Sequence, residues 1–158
     1  MTAGVVIQIA VRCLLVILFL PFSALDKVLN FQGAVAQAQQ ITPSRAAAVA
    51  LILVGLGVEV VMSLCIVTGI IDRLAAFVLG VYCLATALLW KQFWAQDDFW
   101  RRSESRGRDL FWDFLKNFSL AGGFMLLTFG TSDLTVGSFL AHPFASSHPY
   151  TVFHQGQP

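Results

Sequence analysis

Charged residues are scarce in this sequence. Only 12% of its 158 residues are Asp, Glu, Lys or Arg, whereas a soluble domain has about a quarter. Hydrophobic residues make up 57% of the chain, and the mean hydropathy is +0.74. This composition argues against a soluble domain and is typical of an integral membrane protein surrounded by lipid. The net charge is only +1, so no nucleic-acid partner is predicted.

Motifs for catalysis and for cofactor binding are also missing. The three cysteines form no CxxC pair, and no histidine precedes His142, so haem ligands and a di-iron pattern are absent from the apolar segments. No phosphate-binding loop, nucleophile elbow or dinucleotide-binding glycine pattern occurs. We therefore do not expect the chain to catalyse a reaction alone, and we assign it no metal and no cofactor of its own.

Long apolar segments are what the sequence does contain. They run over about 4–21, 46–71, 74–93 and 110–130, and each is near the roughly 20 residues that cross a bilayer as a helix. The predicted fold is all-α, an integral membrane four-helix bundle formed by residues 1–130. Residues 131–158 are predicted to form an extended C-terminal tail.

The connection after the first span predicts a short amphipathic helix at the membrane interface, ending before Pro43. Its apolar face would consist of Leu25, Val28, Leu29, Val35 and Ala36. Basic residues concentrate in this connection and in the one after the third span, whereas Arg73 lies at the rim of the other side. The positive-inside rule therefore predicts that the charged connections face the cytoplasm and that both termini lie outside.

Glu59 is the one charged residue between Ala50 and Ile70. A carboxylate in the bilayer core must face protein or water. Arg12 in the first span would lie about 12 Å deep and Glu59 about 15 Å deep, at 1.5 Å per residue from the same side. We therefore predict that Arg12 and Glu59 form an ion pair.

The neighbours of this pair support a packed polar interface. Ser63 lies one turn after Glu59 on the same face, and Gln8 lies one turn before Arg12. Small residues on that face would let another helix approach closely. Two interpretations remain open: the pair fixes helix packing, or it lines a polar pocket that handles a proton, a quinone or a small solute.

A second polar cluster is predicted on the cytoplasmic side. Its members are Asp26, Lys27, Asn30, Lys91, Asp113, Lys116 and Asn117. These side chains would either contact lipid headgroups and helix ends, or form a mouth into the bundle lined by opposite charges.

The tail "HPFASSHPYTVFHQGQP" carries three histidines, but their spacing fits no standard zinc site. Its prolines oppose a helix, and no apolar periodicity lets it fold on itself, so we expect it to be mobile in isolation. Phe144, Tyr150 and Phe153 are the rings predicted to dock on a partner subunit. A disordered tail is the alternative.

Several segments, in order, resemble the DoxX family of small four-helix bacterial membrane proteins. They include "LDKVLNFQGAVAQAQ" after the first span, "TGIIDRLAAFVLGVYCLATALLW" and "FLKNFSLAGGFMLLTFG". The resemblance covers roughly Val11 to Gly130. It implies functional importance for Arg12, Lys27, Glu59, Arg73, Lys116 and Asn117. The sequence departs from the family pattern at Lys91, where many relatives have a histidine, and lacks the glycine expected just ahead of Lys27.

The resemblance also implies a role. Members of the family are associated with respiratory and quinone-linked membrane complexes, so we expect an accessory or structural subunit of a membrane redox complex, with protein partners and with a quinone as a possible ligand. A self-sufficient carrier that binds a proton, a quinone or a small solute through Arg12 and Glu59 is the alternative. A purely structural membrane protein is a third.

Overall fold

The computed structural model describes residues 3–130 and 136–150, and its regular elements there are all helical. The α-helices are α1 (Ala3–Val16), α2 (Ala24–Leu29), α3 (Phe31–Ala38), α4 (Arg45–Thr68), α5 (Asp72–Trp90), α6 (Arg106–Phe129) and α7 (Val136–Ala141). A π-helical segment, Leu18–Ser23, joins α1 to α2, and a 3₁₀ turn, Phe93–Ala95, follows α5.

Within the described residues, three helical stretches are long and apolar enough to cross a membrane. They are Ala3–Leu29, Arg45–Thr68 and Asp72–Ala95. The predictions of an all-helical fold and of a membrane protein are therefore confirmed. Helix α6 has 24 residues, but Asp113 and Lys116 lie in its first half, and it is not one of these three stretches. A fourth span stays a prediction.

The first helical stretch is bent near its middle. Leu20 has an extended backbone (φ −123°, ψ 112°) directly before Pro21, whose ring cannot continue a regular helix. The predicted amphipathic helix is divided into α2 and α3, which meet at Asn30. Val35 of α3 is buried beside α4, whereas Leu29 of α2 is 82% exposed.

Helices α4 and α5 are joined by a very short turn. Ser44 begins α4 by accepting a hydrogen bond from the Ala47 N–H at 3.4 Å. Gly69 ends it in the left-handed conformation (φ +77°), which glycine adopts without steric cost. Asp72 then begins α5, so the end of one predicted span lies beside the start of the next.

The core lies between α4, α5 and α6, with the end of the first helix packed against it. Small buried residues on α5, including Ala76 and Gly80, let α6 approach closely. A Cβ at Gly80 would lie 2.5 Å from Met125 Cε. Beyond α6, Phe139 of α7 is buried with its ring 5.4 Å from that of Phe77.

Candidate functional site

The predicted Arg12–Glu59 ion pair is wrong, because each residue has a different partner. Arg12 Nη2 lies 2.7 Å from Asp72 Oδ2, and Lys27 Nζ lies 2.7 Å from Glu59 Oε1. The expected burial of both residues is confirmed, since Arg12 is 3% exposed and Glu59 is 2% exposed. Matching depths along straight helices took no account of the bend at Pro21 or of Asp72 as a partner.

Glu59 is held by side chains from three helical segments. Its Oε1 accepts hydrogen bonds from Lys27 Nζ at 2.7 Å, Tyr82 Oη at 2.9 Å and Ser23 Oγ at 3.2 Å. Its Oε2 accepts from Lys27 Nζ at 3.0 Å. Four hydrogen bonds, two of them from an ammonium group, compensate the burial of this carboxylate.

Local sequence explains two of these partners. Ser23 and Lys27 are one helical turn apart, and Lys27 Nζ also donates to Ser23 Oγ at 2.6 Å. The bend at Pro21 precedes this turn. Sequence reasoning missed Tyr82, although Tyr82, Thr86 and Trp90 recur every four residues on α5. Gly55 makes room for the phenol, because a Cβ there would lie 3.1 Å from Tyr82 Oη.

A cavity of about 330 Å³ opens beside Glu59. One part of its wall is polar and includes Asp26, Lys27, Lys91 and Asn117 together with Ser23, Gln37, Glu59, Tyr82 and Thr86. The rest is mainly apolar and aromatic, with Leu18, Phe19, Ala34, Ala38, Ile52 and Trp90. The cavity thus combines hydrogen-bonding groups with surfaces that suit a flat apolar ring.

The structure brings together only part of the predicted second polar cluster. Asp26, Lys27, Lys91 and Asn117 line the cavity. Lys91 also pairs with Asp113 at 2.9 Å. Asn30 is exposed at the junction of α2 and α3, and the side chain of Lys116 is 71% exposed, where it pairs with Asp113 at 3.2 Å.

Asn117 is positioned within this wall by neighbouring polar groups. Its Nδ2 donates to the Asp113 carbonyl at 2.9 Å. Its Oδ1 accepts from Thr86 Oγ1 at 3.5 Å. The contact with Thr86 connects α5 to α6, and the Asn117 side chain lies in the cavity wall.

The second ion pair lies at the turn between α4 and α5. Arg12 Nη1 donates to the Ile66 carbonyl at 2.7 Å, and Arg12 Nη2 contacts Asp72. Asp72 is in the first turn of α5 and fully buried, where the helix dipole favours a carboxylate. Sequence reasoning missed Asp72 because it was treated only as part of a tight connection.

The described part of the tail lies against this second pair, whereas the sequence predicted a tail that is mobile in isolation and that docks on a partner subunit. The Ser147 N–H donates to Asp72 Oδ1 at 2.9 Å, and Ser147 Oγ accepts from Arg12 Nη2 at 2.9 Å. The Tyr150 hydroxyl donates to the Val67 carbonyl. Phe144 is 68% exposed, and Phe153 lies outside the described residues.

Three further predicted residues have clear locations. Arg73 is buried rather than at the rim, and its Nε donates to the Thr128 carbonyl at 2.9 Å. Gln8 is exposed. Ser63 is fully buried, and neither Ser63 Oγ nor Arg12 Nε has a hydrogen-bond partner among the described residues.

The helices and the buried pairs define a membrane protein that keeps charged side chains inside an apolar helical bundle. The sequence profile of the DoxX family matches residues 7–92, which is more than half of the chain. The chain therefore belongs to the DoxX family, as the resemblance predicted, and the match ends before the quoted segment at residues 114–130. No curated protein and no solved structure matches it.

Proposed function

We propose that this DoxX-family protein is an accessory subunit of a membrane redox complex and that its cavity binds the head group of a quinone. The observation that carries the proposal is the Lys27–Glu59–Tyr82 cluster in the wall of that cavity. Because the sequence has no cofactor motif, electrons would enter and leave through a partner subunit.

The chemistry of the wall suits a quinone. A quinone ring needs apolar or aromatic surfaces for its faces and hydrogen-bond donors for its two carbonyl oxygens. Phe19 and Trp90 supply the aromatic surfaces, and the hydrogen-bond donors are Lys27, Lys91 and Asn117. A volume of about 330 Å³ is at the lower end of the usual range for small-molecule sites, which fits a head group whose tail remains in lipid.

The carrier alternative has less support. It requires Arg12 and Glu59 to act on one solute, but these residues have different partners. Arg12 does not line the cavity, and it is covered by the chain's own Ser147. A purely structural role accounts for the two ion pairs, but it gives no reason for polar groups to remain around a cavity.

The proposed setting is a bacterial inner membrane, with α6 as the fourth span and both termini outside. Cysteines introduced at Ser103 and Ser132, in a variant without the three native cysteines, should react with impermeant reagents from opposite sides. Ser103 should be cytoplasmic, because basic residues cluster near it. Ser132 lies outside the described residues. Labelling of Ser103 from the outside would overturn this orientation.

Quinone binding can be measured directly. A short-chain benzoquinone titrated into the full-length protein in nanodiscs should quench tryptophan fluorescence saturably, since Trp90 is part of the wall. A Trp90→Phe variant should lose most of the quenching. Lys27→Met and Glu59→Gln should each weaken binding at least about tenfold, because removing one partner of a charged hydrogen bond costs about 1.5–3 kcal/mol.

Lys116→Met is the matched control, since Lys116 is outside the cavity and largely exposed. Its affinity for the benzoquinone should equal that of the wild type. Unchanged affinity in both cavity variants would contradict quinone binding. The subunit role is tested separately by purifying the native complex in mild detergent, where recovery of the chain without any cofactor-bearing partner would argue against it.

A further inference from the structure

Residues 146–150 fill a site that the rest of the bundle builds. Arg12, Asp72 and the last turn of α4 form this site, and Ser146, Ser147 and Tyr150 bind to it. We call these five tail residues the docked segment. Its contacts are specific enough to define what kind of peptide the site accepts.

Unpaired helix-end groups create part of the site. The last carbonyls of an α-helix have no partners within the helix and need donors from elsewhere. At the end of α4, the Val67 carbonyl accepts from the Tyr150 hydroxyl, and the Gly69 carbonyl accepts from Ser146 Oγ at 2.7 Å. The docked segment therefore provides hydrogen bonds that the α4 terminus lacks.

The ion pair creates the other part. The Asp72 carboxylate accepts from the Ser147 N–H at one oxygen and from Ser147 Oγ at the other. Ser147 Oγ in turn accepts from Arg12 Nη2 at 2.9 Å. A residue with a backbone N–H and a side-chain hydroxyl satisfies this arrangement, whereas alanine or proline would leave atoms of the pair without a partner.

Shape adds a third requirement. The Tyr150 ring lies with its centroid 6.0 Å from the Arg12 guanidinium carbon, within the range of a cation–π contact. Pro149 packs directly over Gly69, where a Cβ would lie 2.9 Å from Pro149 Cγ. Glycine is therefore required at this position both for the turn and for the close approach of the segment.

The segment and helix α7 are attached to the bundle at separate places. Upstream of it, Phe144 is 68% exposed, and α7 is anchored separately by Phe139, which is buried between Phe77 and Phe129. Release of residues 146–150 would therefore leave the aromatic anchor of α7 in place. A second peptide with the same donors could then occupy the site.

We propose that Arg12, Asp72 and the α4 terminus form an exchangeable peptide-docking site for an extended segment with serine at one position and tyrosine three positions later. The chain's own residues 146–150 are its occupant in this structure. A partner segment with the same pattern would compete for it. The proposal does not depend on what the cavity at Glu59 binds.

The test uses a synthetic peptide with the sequence of residues 142–158 and a fluorescent label. A full-length variant with Ser147→Ala and Tyr150→Phe, in nanodiscs, should bind this peptide saturably because its own segment is weakened. Wild-type protein should bind at least about tenfold more weakly because its site is already occupied. A peptide carrying the same two substitutions should not bind either protein.

A second measurement uses an otherwise wild-type segment, so that misfolding of the double variant cannot decide the outcome. A nitroxide on Phe144→Cys, in a chain without the native cysteines, should report an immobilised tail. Excess peptide should make the label mobile, and so should Asp72→Asn. If the peptide binds neither protein, binds both equally, or leaves the label unchanged, the docking site is refuted.

Discussion

Each of the two buried ion pairs gives a buried carboxylate a cationic partner, but one pair lies beside an open cavity and the other is covered by the chain. Glu59 is paired with Lys27, whose side chain is 17% exposed at the wall of an open cavity. Asp72 is paired with Arg12, whose side chain is only 4% exposed and is covered by Ser147. The open pair can meet a ligand, whereas the closed pair is occupied by the chain itself. This difference is why we propose small-molecule binding at one pair and peptide docking at the other.

The closed pair should be the more sensitive to mutation. Arg12→Ala leaves Asp72 buried without its cation, and breaking a buried pair costs about 3–5 kcal/mol. The double variant Arg12→Ala/Asp72→Ala should lose less than the sum of the two single losses. Reversible unfolding in bilayers measures these free energies. Arg12→Ala and Glu59→Ala, by contrast, should be nearly additive, because these residues do not pair. Additivity in the Arg12–Asp72 cycle would contradict the assigned partners.

The open pair should lose less when its cation is removed. Lys27→Ala leaves Glu59 with hydrogen bonds from Tyr82 and Ser23 and with access to cavity water, so we expect a loss of about 1–3 kcal/mol. Lys116→Ala, which removes an exposed ion pair, should change the free energy of unfolding by less than about 1 kcal/mol. Equal losses at Lys27 and Arg12 would remove the distinction between the two pairs.

Much of this architecture was predictable because it depends on local pattern. Apolar length predicted membrane helices, and the cost of burying a charge predicted that Arg12 and Glu59 face protein. Their partners were not predictable in the same way. Lys27 precedes Glu59 by 32 residues and reaches it after the helix bends at Pro21, and no periodicity specifies the direction of such a bend.

The tail shows a second limit. Residues 131–158 were predicted to be extended, but Val136–Ala141 form helix α7, and only the part with the prolines, residues 142–150, is non-helical. Neither the prolines nor the lack of periodicity carries information about a site made elsewhere in the chain. Ser147 and Asp72 are 75 residues apart, and their contact depends on the turn at Gly69. The unpaired carbonyls at the end of α4 were a usable signal, because every helix end needs partners.

A substitution in the docked segment should cause an intermediate loss of unfolding free energy. Ser147→Ala removes the hydroxyl that links Arg12 to Asp72 and should lower the free energy of unfolding by about 1–2 kcal/mol. Ser103→Ala, in an exposed loop, is the matched control and should have little effect. If the two substitutions cost the same, the Ser147 hydroxyl contributes nothing to the closed pair.

The smallest expected effect concerns Asp98, which lies outside the predicted spans. Its carboxylate accepts hydrogen bonds from backbone N–H groups. Its oxygens accept hydrogen bonds from the N–H groups of Arg106 and Gly107 at 2.7 and 3.0 Å, where α6 begins. Desolvation acts to raise its pKa, but these N–H groups and the charge of Arg101 outweigh it, so the pKa of Asp98 lies below its usual value.

A lowered pKa in the folded state means that the folded form favours the carboxylate. The resulting stabilisation is complete above the ordinary Asp pKa of about 3.9, and it is lost as the pH falls through the lower, folded value. The amide NMR shifts of Arg106 and Gly107 should therefore titrate at a midpoint below about 3.9, and Asp98→Asn should abolish that titration. Asp97→Asn, at an exposed neighbour, should leave it in place. A midpoint at or above the ordinary value would show that the N–H groups do not hold the carboxylate, and the start of α6 would then depend on the Ser105 cap alone.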